Sequence, residues 1–205
     1  LGKKRAYAKL DVQPGDTVLD LGAHVGSFVR WSLNHQAERV VAVEMYPPTL
    51  ELLRRNFPPE RYEPRVQIVP YAVHGKGGMT VVTRYFQNPM SASVSRHNSA
   101  NPNGLEVETV SLESLLDTFD PTKIKSDIEN SEYDTLLPGA KLITASRVTR
   151  IMAELHTRNE ETLRLAKQTW WAFHDLGWEC SRHVDGFYEE PNGWNLILCW
   201  WRRAP

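Results

Sequence analysis

Short apolar runs alternating with helically spaced stretches constrain this chain more than any other feature. TVLDL (17–21), RVVAV (39–43) and VQIV (66–69) read as buried strands, and KIKSDI (123–128) and RIMAEL (150–155) repeat the pattern. Between them, helices are expected at 27–35, in PPTLELLRRNF, in VSLESLLDTF, after the fourth run with Tyr133, Leu136 and Leu137, and at 160–176. In PPTLELLRRNF, Leu50, Leu53 and Phe57 share one helical face behind two prolines, a favoured way to open a helix. Such alternation is the signature of an α/β sheet covered on both faces. Runs at 79–86 and 105–110 resemble further strands. The tail WECSRHVDGFYEEPNGWNLILCWW reads as two strands and a turn-rich connection, an antiparallel finish to a mostly parallel, doubly wound sheet. At 205 residues the whole chain is expected to form one domain.

The first strand runs into D-L-G-A-H-V-G, with Asp20, Gly22 and Gly26 at its junction with the first helix. A glycine at position 22 allows a sharp bend and close backbone approach. Gly26 opens a helix whose free N–H groups and dipole favour a carboxylate or phosphate. Asp20 is expected to accept from a ligand ammonium, directly or through water. The spacing is D-x-G-x-x-x-G, and His24 stands where a dinucleotide fingerprint has its middle glycine. A tight strand–helix turn alone also explains these glycines. Glu44, ending the second strand, lies at the distance past the turn where an acid binds ribose hydroxyls in nucleotide folds.

A second constellation sits late in the chain. Asp127 ends one apolar strand; Glu154 and His156 end another, two residues apart and so on one side of extended chain. Carboxylates and an imidazole at adjacent strand ends suit either of two tasks. They accept a proton from a hydroxyl, or they hold a divalent cation, Mg²⁺ before zinc. Glu129 and Glu132 have a competing explanation as carboxylates in the first turn of the next helix, which is the preferred reading for Glu132. Glu129 stays with Asp127 and His156 in the candidate catalytic set.

Charge excludes some partners. Lys and Arg number 24 against 25 Asp and Glu, a net charge of −1, so no basic excess recruits nucleic acid. No apolar run is long enough to span a membrane, and no secretory leader is visible, which makes the cytoplasm the expected location. The chain opens at Leu1 rather than Met, leaving room for other domains of a longer polypeptide. Cys180 and Cys199 fit neither a disulfide framework nor a zinc pattern. They are expected as reduced core thiols, with a bridge between two late strands as the alternative. The polar segment 87–104, QNPMSASVSRHNSANPNG, is either a lid over a substrate or a plain insertion.

VLDLGAHVGSF followed by VVAVEMYPPTLELLRRNF resembles the opening of a class I methyltransferase that uses S-adenosylmethionine. SLESLLD, KSDIENSEYDTLLPGA and IMAELH then resemble, in order, the later motifs of the FkbM methyltransferases. The resemblance runs over about 18–156. It implies a Rossmann-like seven-stranded sheet with the last strand antiparallel. It also implies cofactor contacts at Asp20, Gly22, Ala23, His24, Gly26, Ser27 and Glu44, with Met45 at the adenine edge. YAVHG (71–75) would close over the adenine through Ala72 and Val73, and Asp127 would lie beside the transferred methyl group. Two positions depart from the family pattern. Asn130 replaces a glycine, and asparagine tolerates the left-handed backbone such a turn needs; Ser126 replaces an apolar residue.

The expected activity is O-methylation of a sugar, glycan or natural-product hydroxyl. Asp127 or His156 would take the proton, or a metal on Asp127 and Glu154 would acidify the hydroxyl. The six tryptophans from Trp170 to Trp201 are mostly expected in the core, and the acceptor is expected near Tyr85, Phe86, Arg96 and His97. The rival readings are a nicotinamide-dependent oxidoreductase and a nucleotide-binding domain without catalysis.

Overall fold

The computed structural model describes residues 6–75, 77–78, 80–84, 93–94, 105–129, 131–157, 159–183 and 195–204. In chain order the strands are β1 (Thr17–Leu21), β2 (Arg39–Val43), β3 (Val66–Val69), β4 (Ala72–His74), β5 (Thr80–Arg84), β6 (Ser93–Val94), β7 (Glu106–Ser111), β8 (Lys123–Ser126), β9 (Arg150–Thr157), β10 (Trp178–His183) and β11 (Asn195–Arg203). The helices are α1 (Ser27–Asn34), α2 (Pro47–Asn56), α3 (Pro59–Tyr62), α4 (Leu112–Phe119), α5 (Glu132–Ala145) and α6 (Glu160–Asp175).

Seven strands form the main sheet in the order β10-β11-β9-β8-β1-β2-β3. The pairs β1–β2, β2–β3, β1–β8 and β8–β9 are parallel, while β11 runs antiparallel to both β9 and β10. The expected Rossmann-like sheet with its antiparallel last strand is therefore present, with β11 inserted between two earlier strands. The chain leaves β1 toward β2 on one side and reaches β8 on the other. The crevice at that reversal is where open α/β sheets place ligands.

Alternation along each strand divides the core in two. Leu19, Leu21, Val41, Ile124, Ile151, Ala153 and Leu155 pack beneath α4, α5 and α6, against Leu115, Leu136 and Phe173. Val18, Val40, Ala42 and Met152 face the other way, toward Phe28 of α1 and Leu53 of α2. Tyr7 and Leu10 join this second layer beside Met152 and Trp200, and the Trp200 indole donates to the Ala6 carbonyl at 3.2 Å. α6 opens with a reciprocal cap: Thr162 N–H donates to Asn159 Oδ1 at 2.9 Å and Asn159 N–H to Thr162 Oγ1 at 3.0 Å.

A second sheet, in the order β4-β7-β5-β6, takes in the expected strands at 79–86 and 105–110 as β5 and β7, whereas β4 and β6 have no such forewarning. Its β4 takes Ala72 and Val73, both buried, with Val73 in the core beneath the late helices. The segment 87–104 lies outside the described residues except for β6, as do Tyr85, Phe86, Arg96, His97, Asn130 and Trp194. Cys180 and Cys199 are free thiols. Trp178, Trp200 and Trp201 are buried, whereas Trp171 is half exposed. No helix among the described residues is long and apolar enough to cross a membrane.

Candidate functional site

Register builds the site. Leu21 pairs with Val43 on one side and Ser126 on the other, and Ser126 pairs with Ala153. The next residue on each strand is Gly22, Glu44, Asp127 and Glu154. These four form one row across neighbouring strands: Gly22, Glu44 and Asp127 just past the C-terminal ends of β1, β2 and β8, and Glu154 within the longer β9. Residues separated by more than a hundred positions thus meet at the switch point of the sheet.

On the β1–β2 side the turn is held by backbone groups. The Gly22 and Ala23 amides both donate to the Val43 carbonyl, at 3.0 and 2.9 Å. Glu44 accepts from the His24 amide through Oε2 and from the Tyr46 amide through Oε1, each at 2.8 Å. That fixes its carboxylate between the glycine turn and α2, and each carboxylate oxygen carries a second lone pair suited to a diol hydroxyl. Gly22 (φ 81°) and Gly26 (φ 89°) adopt left-handed backbone. Close approach does require glycine here, but the neighbour is the chain itself. A Cβ on Gly22 would overlap the Asp127 carbonyl, and one on Gly26 would overlap the Phe57 ring. His24 is also left-handed, at φ 51°. Ser27 begins α1, whose N-terminus has no side-chain cap.

On the β8–β9 side the wall is charged. Asp20 has no exposed surface; its Oδ1 lies 3.1 Å from Lys125 Nζ, its register partner on β8. The same ammonium donates to the Gly22 carbonyl at 2.9 Å and lies 3.8 Å from Asp127 Oδ2. Burial pushes the Asp20 carboxyl upward, and the Lys125 ammonium pulls it back. Burial alone would depress Lys125, but attraction to Asp20 and Asp127 outweighs it and holds the ammonium above its ordinary range. Asp20 therefore faces a cation of the chain's own rather than an incoming ammonium.

His156 reverses its expected role. Its Nδ1 lies 3.1 Å from Glu132 Oε1, and its Nε2 lies 3.6 Å from Glu129 and 4.0 Å from Asp127. Burial alone would lower its pKa, yet Glu132, then Glu129 and Asp127, push it up to about 10. At neutral pH the ring is an imidazolium. With a proton on each nitrogen it has no lone pair with which to act as a base.

Among the described residues, the group of three whose donor atoms converge is Asp127, Glu129 and His156, all within 4.8 Å of one another, and the expected Glu154 is not in it. With the ring charged, the trio forms an ion-pair cluster. Glu129 takes φ 51°, left-handed backbone; the expected turn position Asn130 lies outside the described residues.

Sequence alone missed three members of this site. Lys125 carried a signal, a lysine inside an otherwise apolar strand. Glu132 begins α5 as expected, but its buried carboxylate reaches back, accepting from the Ile128 amide at 2.9 Å as well as meeting His156. Tyr7 gave no signal. Its buried hydroxyl feels Lys125, Asp20, Glu154 and Asp127, and burial above all pushes its pKa up to about 12.

Comparison with known proteins decides between the readings. The methyltransferase FkbM domain matches this chain over residues 20–177. The chain belongs to the FkbM methyltransferase family. The family is one of methyltransferases, which implies S-adenosylmethionine as donor, and not one of nicotinamide enzymes. Solved structures similar to this FkbM chain share its fold. A methyltransferase FkbM from Methylobacillus flagellatus KT aligns at TM-score 0.60 and 17% identity, covering 91% of this chain. The chain spans only 43% of that protein's length. A precorrin-6y C5,15-methyltransferase from Geobacter metallireducens GS-15 aligns at TM-score 0.53 and 15% identity, covering 98% of this chain and 86% of its own. A precorrin 8w decarboxylase from Methanobacterium thermoautotrophicum aligns at 0.54 and 13%, covering 100% and 90%. None of the curated proteins compared with the chain matches it.

Proposed function

We propose that this FkbM domain methylates a hydroxyl oxygen of a sugar, glycan or natural-product acceptor, with S-adenosylmethionine as donor. The observation that carries the reading is the in-register row Glu44, Gly22, Asp127 and Glu154. It sets a diol-binding carboxylate and a glycine turn on one side of the switch point, and a carboxylate suited to take a proton on the other.

The residues fit the donor. Glu44, oriented by two amides, receives the ribose hydroxyls, with Met45 beside it at the adenine edge. Ala72 and Val73 support the adenine from β4 through their backbone, since both side chains are buried. The turn Gly22-Ala23-His24 and the uncapped start of α1 at Gly26 and Ser27 receive the amino-acid end. When bound, the donor supplies an electrophilic methyl group on a sulfonium. Asp127 orients the acceptor hydroxyl and would take its proton as the oxygen–methyl bond forms and the methyl–sulfur bond breaks, with S-adenosylhomocysteine as the leaving group. The protein's main contribution is to hold the hydroxyl in line, a positioning effect worth roughly 7–11 kcal/mol at most. No step is routed through a metal; among the described residues the donor atoms that converge are those of Asp127, Glu129 and His156.

Thermal shift with S-adenosylhomocysteine and, separately, NAD tests the cofactor. The account expects a rise in melting temperature with the first alone. Transfer of labelled methyl from S-adenosylmethionine to a panel of glycosides and amines tests the acceptor. Label in the amines and none in the glycosides would overturn the hydroxyl assignment.

A further inference from the structure

Asp127 stands between two cations, and each cation is anchored by an acid with no exposed surface. Lys125 Nζ lies 3.8 Å from Asp127 Oδ2 and 3.1 Å from Asp20 Oδ1. His156 Nε2 lies 4.0 Å from Asp127 Oδ1, and its Nδ1 lies 3.1 Å from Glu132 Oε1. The two oxygens of one carboxylate thus face two positive groups brought by different strands. Asp20 and Glu132 come from β1 and the first turn of α5.

For stability alone the arrangement extends too far. Asp20–Lys125 and Glu132–His156 each pair at 3.1 Å without Asp127, and an isolated buried pair is often no better than apolar packing. Both pairs instead reach Asp127, in the row of strand-end residues beside Gly22. We propose that Lys125 and His156 are positioning residues that clamp the Asp127 carboxylate from both sides, with Asp20 and Glu132 holding the clamp in place. This rests on the reading of Asp127 as the proton acceptor in methyl transfer. The charged groups facing His156 are Glu132 from α5 and Glu129 and Asp127 from the β8–α5 turn. Those facing Lys125 are Asp20 from β1, Asp127 from the turn after its own strand, Glu154 from β9 and the Tyr7 hydroxyl from the N-terminal segment. Fixed between two cations, Asp127 is held ionised and oriented before an acceptor arrives.

Two charge-neutral double variants test this, each removing a cation together with its anchor so that no buried charge is left alone. They are Asp20→Asn with Lys125→Met, and Glu132→Gln with His156→Gln. The readout is the pH titration of the Asp127 side-chain carboxyl carbon by NMR, in the full chain saturated with S-adenosylhomocysteine. The expected result is a midpoint moved up by about one pH unit in each double variant, because an opposite charge this close favours the ionised form. Nitrogen NMR of the unmodified protein should show both His156 ring nitrogens protonated at pH 8, and Glu132→Gln alone should return the ring's titration toward neutrality. An unmoved Asp127 titration in both double variants, or a His156 already neutral at pH 8, overturns the clamp. Failure of the unmodified protein to bind S-adenosylhomocysteine would overturn the methyl-transfer reading instead, and the same titrations without ligand would still decide the clamp.

Discussion

The two halves of the crevice are built from different materials. On the β1–β2 side, glycine backbone and amide hydrogen bonds make a rigid turn, with Glu44 pinned by the His24 and Tyr46 amides. On the β8–β9 side, buried charges hold one another: Asp20 with Lys125, and Glu132 with His156. On the proposed reading, the difference follows from what each side does: a rigid turn receives the donor, whereas Asp127, which meets the acceptor, is kept in a defined charge state.

The contrast breaks most visibly at Gly22. Gly22→Ala places a Cβ against the Asp127 carbonyl in left-handed backbone, and should cost on the order of 4 kcal/mol in urea unfolding or prevent folding. Gly15→Ala has a similar φ of 88° but open space around it, and should cost only about 1 kcal/mol. On the charged side, Lys125→Met leaves Asp20 buried and unpaired and should cost about 3–5 kcal/mol, most of it recovered by adding Asp20→Asn. Asp127→Asn sharpens the division: labelled-methyl turnover should fall roughly 10²–10⁴-fold while calorimetric affinity for S-adenosylhomocysteine is kept. Glu44→Gln should do the reverse, weakening that affinity about tenfold, or about 1.4 kcal/mol.

The smallest effect is one of pH. His156 has its folded pKa raised from an ordinary 6.5 to about 10. A raised pKa means its contribution is fully present below about pH 6.5 and is lost as pH climbs toward 10. Urea midpoints should therefore fall across that window, and His156→Gln should flatten the slope.

How much of this was legible follows the same division. β1, β2 and β3 begin and end where their apolar runs do, because turn residues bracket each run. Gly22, Glu44 and Asp127 were legible because strand ends in a parallel sheet point into the crevice. β4 was not: three residues paired with β7 carry no periodic pattern. Lys125 and Glu132 could be seen but not placed. Their partners are fixed by register, which sets Lys125 against Asp20 from more than a hundred positions away, and by the reach of α5 back to His156. Tyr7 enters through the packing of the N-terminal segment over Met152 and Trp200, which no local motif encodes.

A crystal structure of the chain with S-adenosylhomocysteine bound tests the central claim most directly. The account predicts the ribose hydroxyls on Glu44, the amino-acid end at the Gly22–Gly26 turn, and the sulfur turned toward Asp127. Density for the ligand elsewhere, or a sulfur facing away from Asp127 with Glu44 still bound only to its own amides, would contradict it.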